Sequence, residues 1–191
     1  MRVIPTRVVR GRKNPTHWKF PQRLRRARKL AGLSGSALSL AAGVGRNSVT
    51  TMEDGARLPR LPMLERIAGA LKISPGYLAF GLVSTCEPGT GELRCAGLAA
   101  RARQARVDLG LSVRDVEQRA EDADGILRAV ESGTMPTLDT LEKLAGALGV
   151  SPAWLAFGEG PRELPGRRRR KPAGSGAALD HAKAGARPLL T

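Results

Sequence analysis

The chain has 191 residues, of which 41% are hydrophobic, 26% are charged and only 3% are aromatic. This composition favours small helical domains over a β-sandwich, and the scarcity of aromatic rings argues against base-stacking platforms for single strands. The net charge of +15 indicates a polyanionic partner, with nucleic acid first and an acidic membrane surface second.

The positive charge is concentrated at the two ends of the chain. Residues 1–29 carry eleven basic and no acidic side chains, and residues 159–191 carry eight basic and three acidic ones. Residues 94–158, with eight basic and nine acidic side chains, are close to neutral. The sequence lacks both an apolar run of the ~20 residues that a bilayer span needs and the apolar core of a signal peptide. We therefore expect a cytoplasmic protein with no membrane partner, associated with the nucleoid through DNA.

The first half of the chain predicts five helices in succession. Apolar residues recur at helical spacing, Gly32 and Gly43-Val44-Gly45 interrupt the pattern, and serines stand where N-caps are expected. The predicted helices run from Leu24 to Ala31, from Ser34 or Ser36 to Ala42, from Arg46 to Glu53, from Pro62 to Leu71, and from Ser74-Pro75 to Phe80.

The second half repeats the first. A shift of 78 residues aligns the two halves up to Gly55, and after the loss of one residue a shift of 77 continues the alignment from Pro59 onward. Aligned pairs include Arg28 with Arg106, Glu53 with Glu131, Leu64-Glu65 with Leu141-Glu142, and Ser74-Pro75 with Ser151-Pro152. The chain therefore contains two copies of one unit.

A short helix, a glycine turn and a second short helix form the arrangement that lets one helix enter a major groove. The residues from Leu33-Ser34 through Gly55, followed by the Leu64–Leu71 and Ser74–Leu78 segments, resemble the lambda repressor/Cro-type helix-turn-helix family, also called the XRE family. The resemblance covers about 22–81 and 98–158. It implies an all-α chain of two tandem five-helix domains, with structural ion pairs Arg28–Glu53 and Arg106–Glu131.

These features predict five segments. A basic N-terminal arm covers 1–21, the first domain 22–81, a linker 82–96, the second domain 97–158 and a disordered basic tail 159–191. The arm either follows the DNA or is a solvated basic segment without a fixed role.

The first copy carries the side chains expected of a DNA reader. The resemblance implies a turn glycine with positive φ, which Gly43 supplies, and a small residue where two helices cross closely, which Ser39 supplies. Arg can read guanine, Asn adenine, and a Thr methyl group thymine. The predicted DNA-binding residues are Gly45, Arg46, Asn47, Ser48, Thr50, Thr51, Arg57 and Arg60, together with Arg12, Lys13, Lys19 and Arg23 from the basic N-terminal region.

The second copy departs from this pattern. Glu121 aligns with Gly43, Glu117 aligns with Ser39, and the aligned surface carries further carboxylates that would repel the phosphate backbone. We expect this degenerate domain to dimerise or to bind a partner. The candidate partner-binding residues are Glu121, Asp122, Asp124 and Arg128.

These observations predict a sequence-specific transcriptional regulator, specifically a repressor, that binds double-stranded DNA as a homodimer on an inverted repeat. The alternative is an antiactivator or antitoxin-like module that binds a second protein through the acidic domain. No catalytic constellation, cofactor motif or metal site is recognisable, so an enzyme is not expected. Cys86 and Cys95 are either ordinary thiols or a redox or metal pair.

Overall fold

The computed structural model describes residues 16–82, 93–120 and 125–163. Within these ranges the protein contains ten α-helices and two short 3₁₀ helices, in two groups of the same order. The first unit comprises the 3₁₀ helix Thr16–Lys19, α1 (Phe20–Leu30), α2 (Gly35–Ala41), α3 (Ser48–Glu53), α4 (Leu61–Ala70) and α5 (Pro75–Phe80). The second comprises the 3₁₀ helix Arg94–Gly97, α6 (Leu98–Asp108), α7 (Val113–Arg119), α8 (Ile126–Glu131), α9 (Leu138–Leu148) and α10 (Pro152–Phe157). The predicted all-α fold with tandem units is confirmed.

Side-chain caps define the starts of several helices. The hydroxyl of Ser34, rather than that of Ser36, accepts a hydrogen bond from the amide of Ala37 at 3.1 Å and caps α2. Ser74 caps α5 through the amide of Tyr77 at the same distance. α3 begins at Ser48 rather than at the predicted Arg46, because Arg46 and Asn47 lie in a turn that the Ser48 amide closes by donating to the Gly45 carbonyl at 2.8 Å.

The folded region extends beyond the segment boundaries expected from the sequence. Phe20 is fully buried and begins α1, so the segment from Thr16 to Pro21 belongs to the folded unit rather than to an arm. At the other end, Glu159 is buried, and the carbonyl of Arg162 accepts a hydrogen bond from the amide of Ser151 at 2.8 Å. Residues 1–15, 83–92, 121–124 and 164–191 lie outside the described residues.

The two units pack on one another. The buried apolar side chains of the described residues form one continuous cluster that includes Leu64 and Leu78 of the first unit and Leu141 and Leu155 of the second. α5 packs against α10, and α4 and α9 each contact the 3₁₀ helix of the other unit. By contrast, α3 packs against α1 and α2 of its own unit, and α8 against α6 and α7. Among the described residues, none of the helices has the length and apolar character that a membrane crossing requires.

Candidate nucleic-acid interface

The turn between α2 and α3 has the geometry that its residue types predict. Gly43 has φ of +61°, a backbone conformation that is costly for any residue with a Cβ. The fully buried Ser39 accepts a hydrogen bond from the amide of Val49 at 3.4 Å. A small hydroxyl therefore links α2 to α3 where the two helices approach closely.

The exposed edge of α3 and its preceding turn carries hydrogen-bonding side chains. Gly45, Arg46, Asn47 and Thr50 are exposed, whereas Ser48 and Thr51 are half-buried. The Thr51 hydroxyl donates to the carbonyl of Asn47 at 2.9 Å, so its donor is already used within the helix. Residues 43–52 include no carboxylate. This surface therefore offers hydrogen-bonding side chains without a negative charge that would repel the phosphate backbone of DNA.

A two-pronged ion pair fixes α3 against α1. The Nε and Nη2 atoms of Arg28 donate to the two carboxylate oxygens of Glu53 at 2.6 and 2.7 Å, and Nη1 donates to the carbonyl of Leu33 at 2.9 Å. Burial alone would raise the pKa of Glu53, but the hydrogen bonds and charge of Arg28, helped by Arg25, outweigh it and lower the pKa. This Arg28–Glu53 ion pair, called the brace below, therefore keeps Glu53 ionised and holds α3 against α1.

The second unit repeats this brace. Arg106 donates from Nε and Nη2 to Glu131 at 2.8 and 3.1 Å, and from Nη1 to the carbonyl of Leu111 at 3.1 Å. Both predicted structural ion pairs are thus present. The frame that would position a reading helix is retained in both units, even where the exposed residues differ.

Arg23, which the sequence suggested as a DNA contact, is used inside the protein. Its Nε donates to the carbonyl of Leu78 at 2.8 Å, and its Nη2 donates to the carbonyl of Ala79 at the end of α5. Arg101 makes the equivalent bonds to Leu155 and Ala156. These bonds give Arg23 a structural role at the end of α5, and its contact with DNA stays a prediction. Arg101 occupies the aligned position in the second copy, which has little net charge, and this was the sequence signal for a structural role.

The other predicted basic contacts are accessible where they are described. Arg57 and Arg60 are exposed, and Arg60 also forms a backbone bridge to Thr137. Lys19 is exposed, and its ammonium lies 5.1 Å from the centre of the Trp18 ring. Arg12 and Lys13 lie outside the described residues.

The corresponding surface of the second unit has different chemistry. A carboxylate oxygen of Glu117, at the position of Ser39, accepts a hydrogen bond from the amide of Arg128 at 3.5 Å. The first turn of α8 is therefore accompanied by a negative charge where α3 has a neutral hydroxyl. Arg128 is exposed, whereas the predicted partner-binding residues Glu121, Asp122 and Asp124 lie outside the described residues.

Cys95 lies in the interior, and burial together with the neighbouring Glu65 carboxylate raises the pKa of its thiol to about 12. Such a thiol stays protonated and unreactive at neutral pH. Cys86 lies outside the described residues. In the three described ranges, no group of three or more His, Cys, Asp or Glu side chains could hold a metal ion.

Comparison with known families agrees with this geometry. Residues 20–78 match a family model described as a helix-turn-helix domain, and residues 103–155 match a second model described as helix-turn-helix. Neither the curated proteins nor the solved structures yielded a match to the chain.

Proposed function

Because the chain carries two helix-turn-helix domains of the XRE (Cro/C1) type in tandem, we propose that this DNA-binding regulator recognises a specific sequence by inserting α3 into the major groove. The single observation that carries the proposal is the exposed edge formed by Arg46 and Asn47 of the turn and Thr50 of α3, a helix that is braced from behind by Arg28 and Glu53. Repression would follow when the bound protein occludes a promoter.

The chemistry of this edge suits direct readout of bases. A guanidinium at position 46 can donate two hydrogen bonds to guanine, the amide of Asn47 can pair with adenine, and the methyl group of Thr50 can contact the thymine methyl. Phosphate contacts would come from the basic residues before α1 and from the exposed Arg57 and Arg60. Such contacts would hold the protein at the nucleoid.

The second unit is proposed to make no base-specific contact of this kind. Glu117 of α7 accepts a hydrogen bond from the Arg128 amide in the first turn of α8, and Asp124 aligns with Arg46 in the repeat. Carboxylates at these positions would weaken the attraction to phosphate that supplies most of the affinity for DNA. The unit retains its internal brace, which is consistent with a structural role.

A protein-binding function, antiactivator or antitoxin-like, remains the second proposal. It depends on the acidic residues 121–124, which lie outside the described residues. A pull-down that recovers only DNA and the chain itself would count against it.

The proposal is tested by selecting DNA from a random duplex pool with the full chain. We expect one enriched half-site motif, with Arg46→Ala and Asn47→Ala each weakening binding by about 1–3 kcal/mol and each relaxing the preference at one base pair. Arg128→Ala is the matched control, because residue 128 of the second unit aligns with Thr50, and we expect no loss of preference. A chain that enriches no motif would contradict the proposal.

A further inference from the structure

One contact between the units joins the start of the first unit to α9 of the second. The carboxylate of Glu142 accepts hydrogen bonds from the amide of Thr16 at 2.7 Å and from its hydroxyl at 2.9 Å. The same carboxylate lies 2.7 Å from Nδ1 of the buried His17. Glu142 therefore fastens the 3₁₀ helix that precedes α1.

The reciprocal contact joins the start of the second unit to α4 of the first unit. Glu65 of α4 aligns with Glu142, and its carboxylate accepts hydrogen bonds from the amides of Arg94 and Cys95, the latter at 3.1 Å. Arg94 and Cys95 align with Thr16 and His17. Each unit thus binds the 3₁₀ helix at the start of the other unit through an equivalent glutamate.

Two further contacts join residues that are equivalent to each other. Arg60 and Thr137 form an antiparallel backbone bridge, and they align in the repeat. Gly76 of α5 and Ala153 of α10 also align, and a Cβ placed on Gly76 would lie 3.3 Å from the Cβ of Ala153. Reciprocal contacts together with contacts between like residues are the mark of a twofold, isologous interface.

We propose that the chain is a single-chain counterpart of a twofold dimer, and that one chain binds an asymmetric DNA site of two halves. The inference concerning DNA rests on the proposed function. α3 reads the sequence of one half, and α8 meets the second half without reading its bases. The partner is one continuous stretch of double-stranded DNA.

An internal twofold would let both units meet the same duplex. Rotation about a twofold axis preserves height along that axis, so α3 and α8 lie at the same height on opposite sides of it. Neither helix is used in the packing of α5 against α10. In dimeric helix-turn-helix proteins the same symmetry places two reading helices on half-sites about 34 Å apart.

The pairing within the chain uses apolar surface of the second unit, the domain that was expected to form a homodimer or bind a partner. α10, part of the apolar side of the second unit, is packed against α5 of the same chain. Glu159 closes this contact, because it accepts hydrogen bonds from the Ser74 hydroxyl, from the Gly76 amide at 3.0 Å and from Arg94 at 2.8 Å. Leu82, which aligns with Glu159, cannot make the equivalent bonds. We therefore infer that one chain needs no second copy to complete the pair.

The first test measures how many chains bind one duplex. Light scattering of the full chain, alone and with its selected duplex, is expected to give the mass of one chain and then of one chain per duplex. Hydroxyl-radical footprinting is expected to show protection on both halves of the site, although only one half has a sequence preference. Two chains per duplex, or protection of one half alone, would overturn the proposal.

The second test restores the reading residues to the second unit. The substitutions Asp124→Arg, Gly125→Asn and Arg128→Thr give it the residues that align with Arg46, Asn47 and Thr50. Asn tolerates the positive φ of residue 125 better than most residues. We expect the triple variant to enrich an inverted repeat of the native half-site while still binding as one chain.

The control carries the same three substitutions together with Arg46→Ala and Asn47→Ala, and it should again enrich a single half-site. If the triple variant folds, by circular dichroism, and still enriches one half, the twofold placement of α8 is wrong while reading by α3 stands. If the native chain enriches nothing, the proposed function fails, and the mass of the free chain still decides whether the pair is complete within one chain.

Discussion

Gly76 and Ala153 occupy equivalent positions in the two units and face each other where α5 meets α10. A Cβ on Gly76 would lie 3.3 Å from the Cβ of Ala153 and would overlap the Glu159 carboxylate. That carboxylate cannot easily move aside, because Ser74, the Gly76 amide and Arg94 all bind it. The absence of a side chain at residue 76 is therefore what allows the two units to pack closely.

The first prediction is that Gly76→Ala destabilises the protein by about 1–3 kcal/mol, the usual cost of overpacking a filled interior. Gly69→Ala is the matched control, because Gly69 lies within α4 with open space around its Cα. It should stabilise by about 0.5–1 kcal/mol, since Ala is the better helix former. Chemical denaturation of both variants measures the difference, and equal effects would contradict this view of the interface.

The second prediction concerns the brace behind α3. Among the described residues, Arg28→Ala leaves the Glu53 side chain, which is 5% exposed, with the longer contact to Arg25 at 3.4 Å. We expect a loss of about 3 kcal/mol, near the lower end for breaking a buried ion pair. Arg28→Lys should recover only part of this, because an ammonium cannot make both bonds.

Denaturant unfolding measures both changes, with Arg26→Ala as the exposed control on the same helix. DNA affinity should fall more for Arg28→Ala than for Arg26→Ala at low temperature, where both variants stay folded, because α3 loses its support. Similar stabilities for the two variants would contradict the assigned brace.

The sequence was sufficient to predict the elements that depend on local signals. The caps at Ser34 and Ser74, the glycine turn at Gly43 and the spacing of apolar residues act within a few residues of themselves, and each is found in the structure. The pair Arg28–Glu53 was also anticipated, although from a family resemblance rather than from spacing. The start of α3 was wrong by two residues, because the turn that includes Asn47 delays the helix.

The contacts between the units were not predicted. Glu142 and His17 are 125 residues apart, and nothing local distinguishes Glu142 from an ordinary exposed helical glutamate. The role of Arg23 was missed for a similar reason, because a carbonyl at the end of a distant helix leaves no mark in the sequence. The available clue was that Arg23 and Arg101 occupy aligned positions in a basic copy and in a nearly neutral copy.

The third prediction is a pH dependence of stability that originates at Glu142. Burial alone would raise the pKa of Glu142, but the hydrogen bonds from His17 and Thr16 outweigh it and hold the pKa below the ordinary value. A lowered folded pKa contributes stability that is complete above the unfolded value of about 4.3. That contribution is lost as the pH falls through the folded pKa.

Glu142→Gln should therefore flatten the loss of stability below about pH 4.3, while lowering stability at pH 7. Asp139→Asn is the control, because Asp139 lies on the same helix and its described ion pair is with Lys143, four residues away. This variant should leave the loss of stability at acidic pH, called the acid limb, unchanged. Urea midpoints measured from pH 3 to pH 7 would show this. An acid limb identical to that of the native protein would remove Glu142 from the explanation.

The fourth prediction concerns the buried thiol. With Cys86→Ser as the background, Cys95 is the remaining cysteine in the chain. Its pKa of about 12 and its burial predict that iodoacetamide at pH 8 modifies it only through unfolding. The labelling rate should rise in proportion to the unfolded fraction in urea, and rapid labelling without denaturant would contradict the placement of Cys95.

The fifth prediction separates the basic arm from the folded unit. A deletion should end at residue 15, because Thr16 and His17 bind Glu142 and a longer deletion would also remove a contact between the units. Residues 1–15 carry five basic side chains. If all five meet phosphates, their removal should reduce the slope of log affinity against log salt concentration by about 4.5.

The deletion should weaken binding to all sequences equally and leave the base preference of the half-site unchanged, because phosphate contacts carry no sequence information. Deletion of residues 167–171, which removes five basic side chains near the other end, is the control for charge alone. Both slopes are measured by titrating one duplex at salt concentrations between about 50 and 200 mM. A smaller change in slope for this control would assign the phosphate contacts to the arm. Equal changes would mean that the arm acts only through its charge, with no fixed path along the duplex.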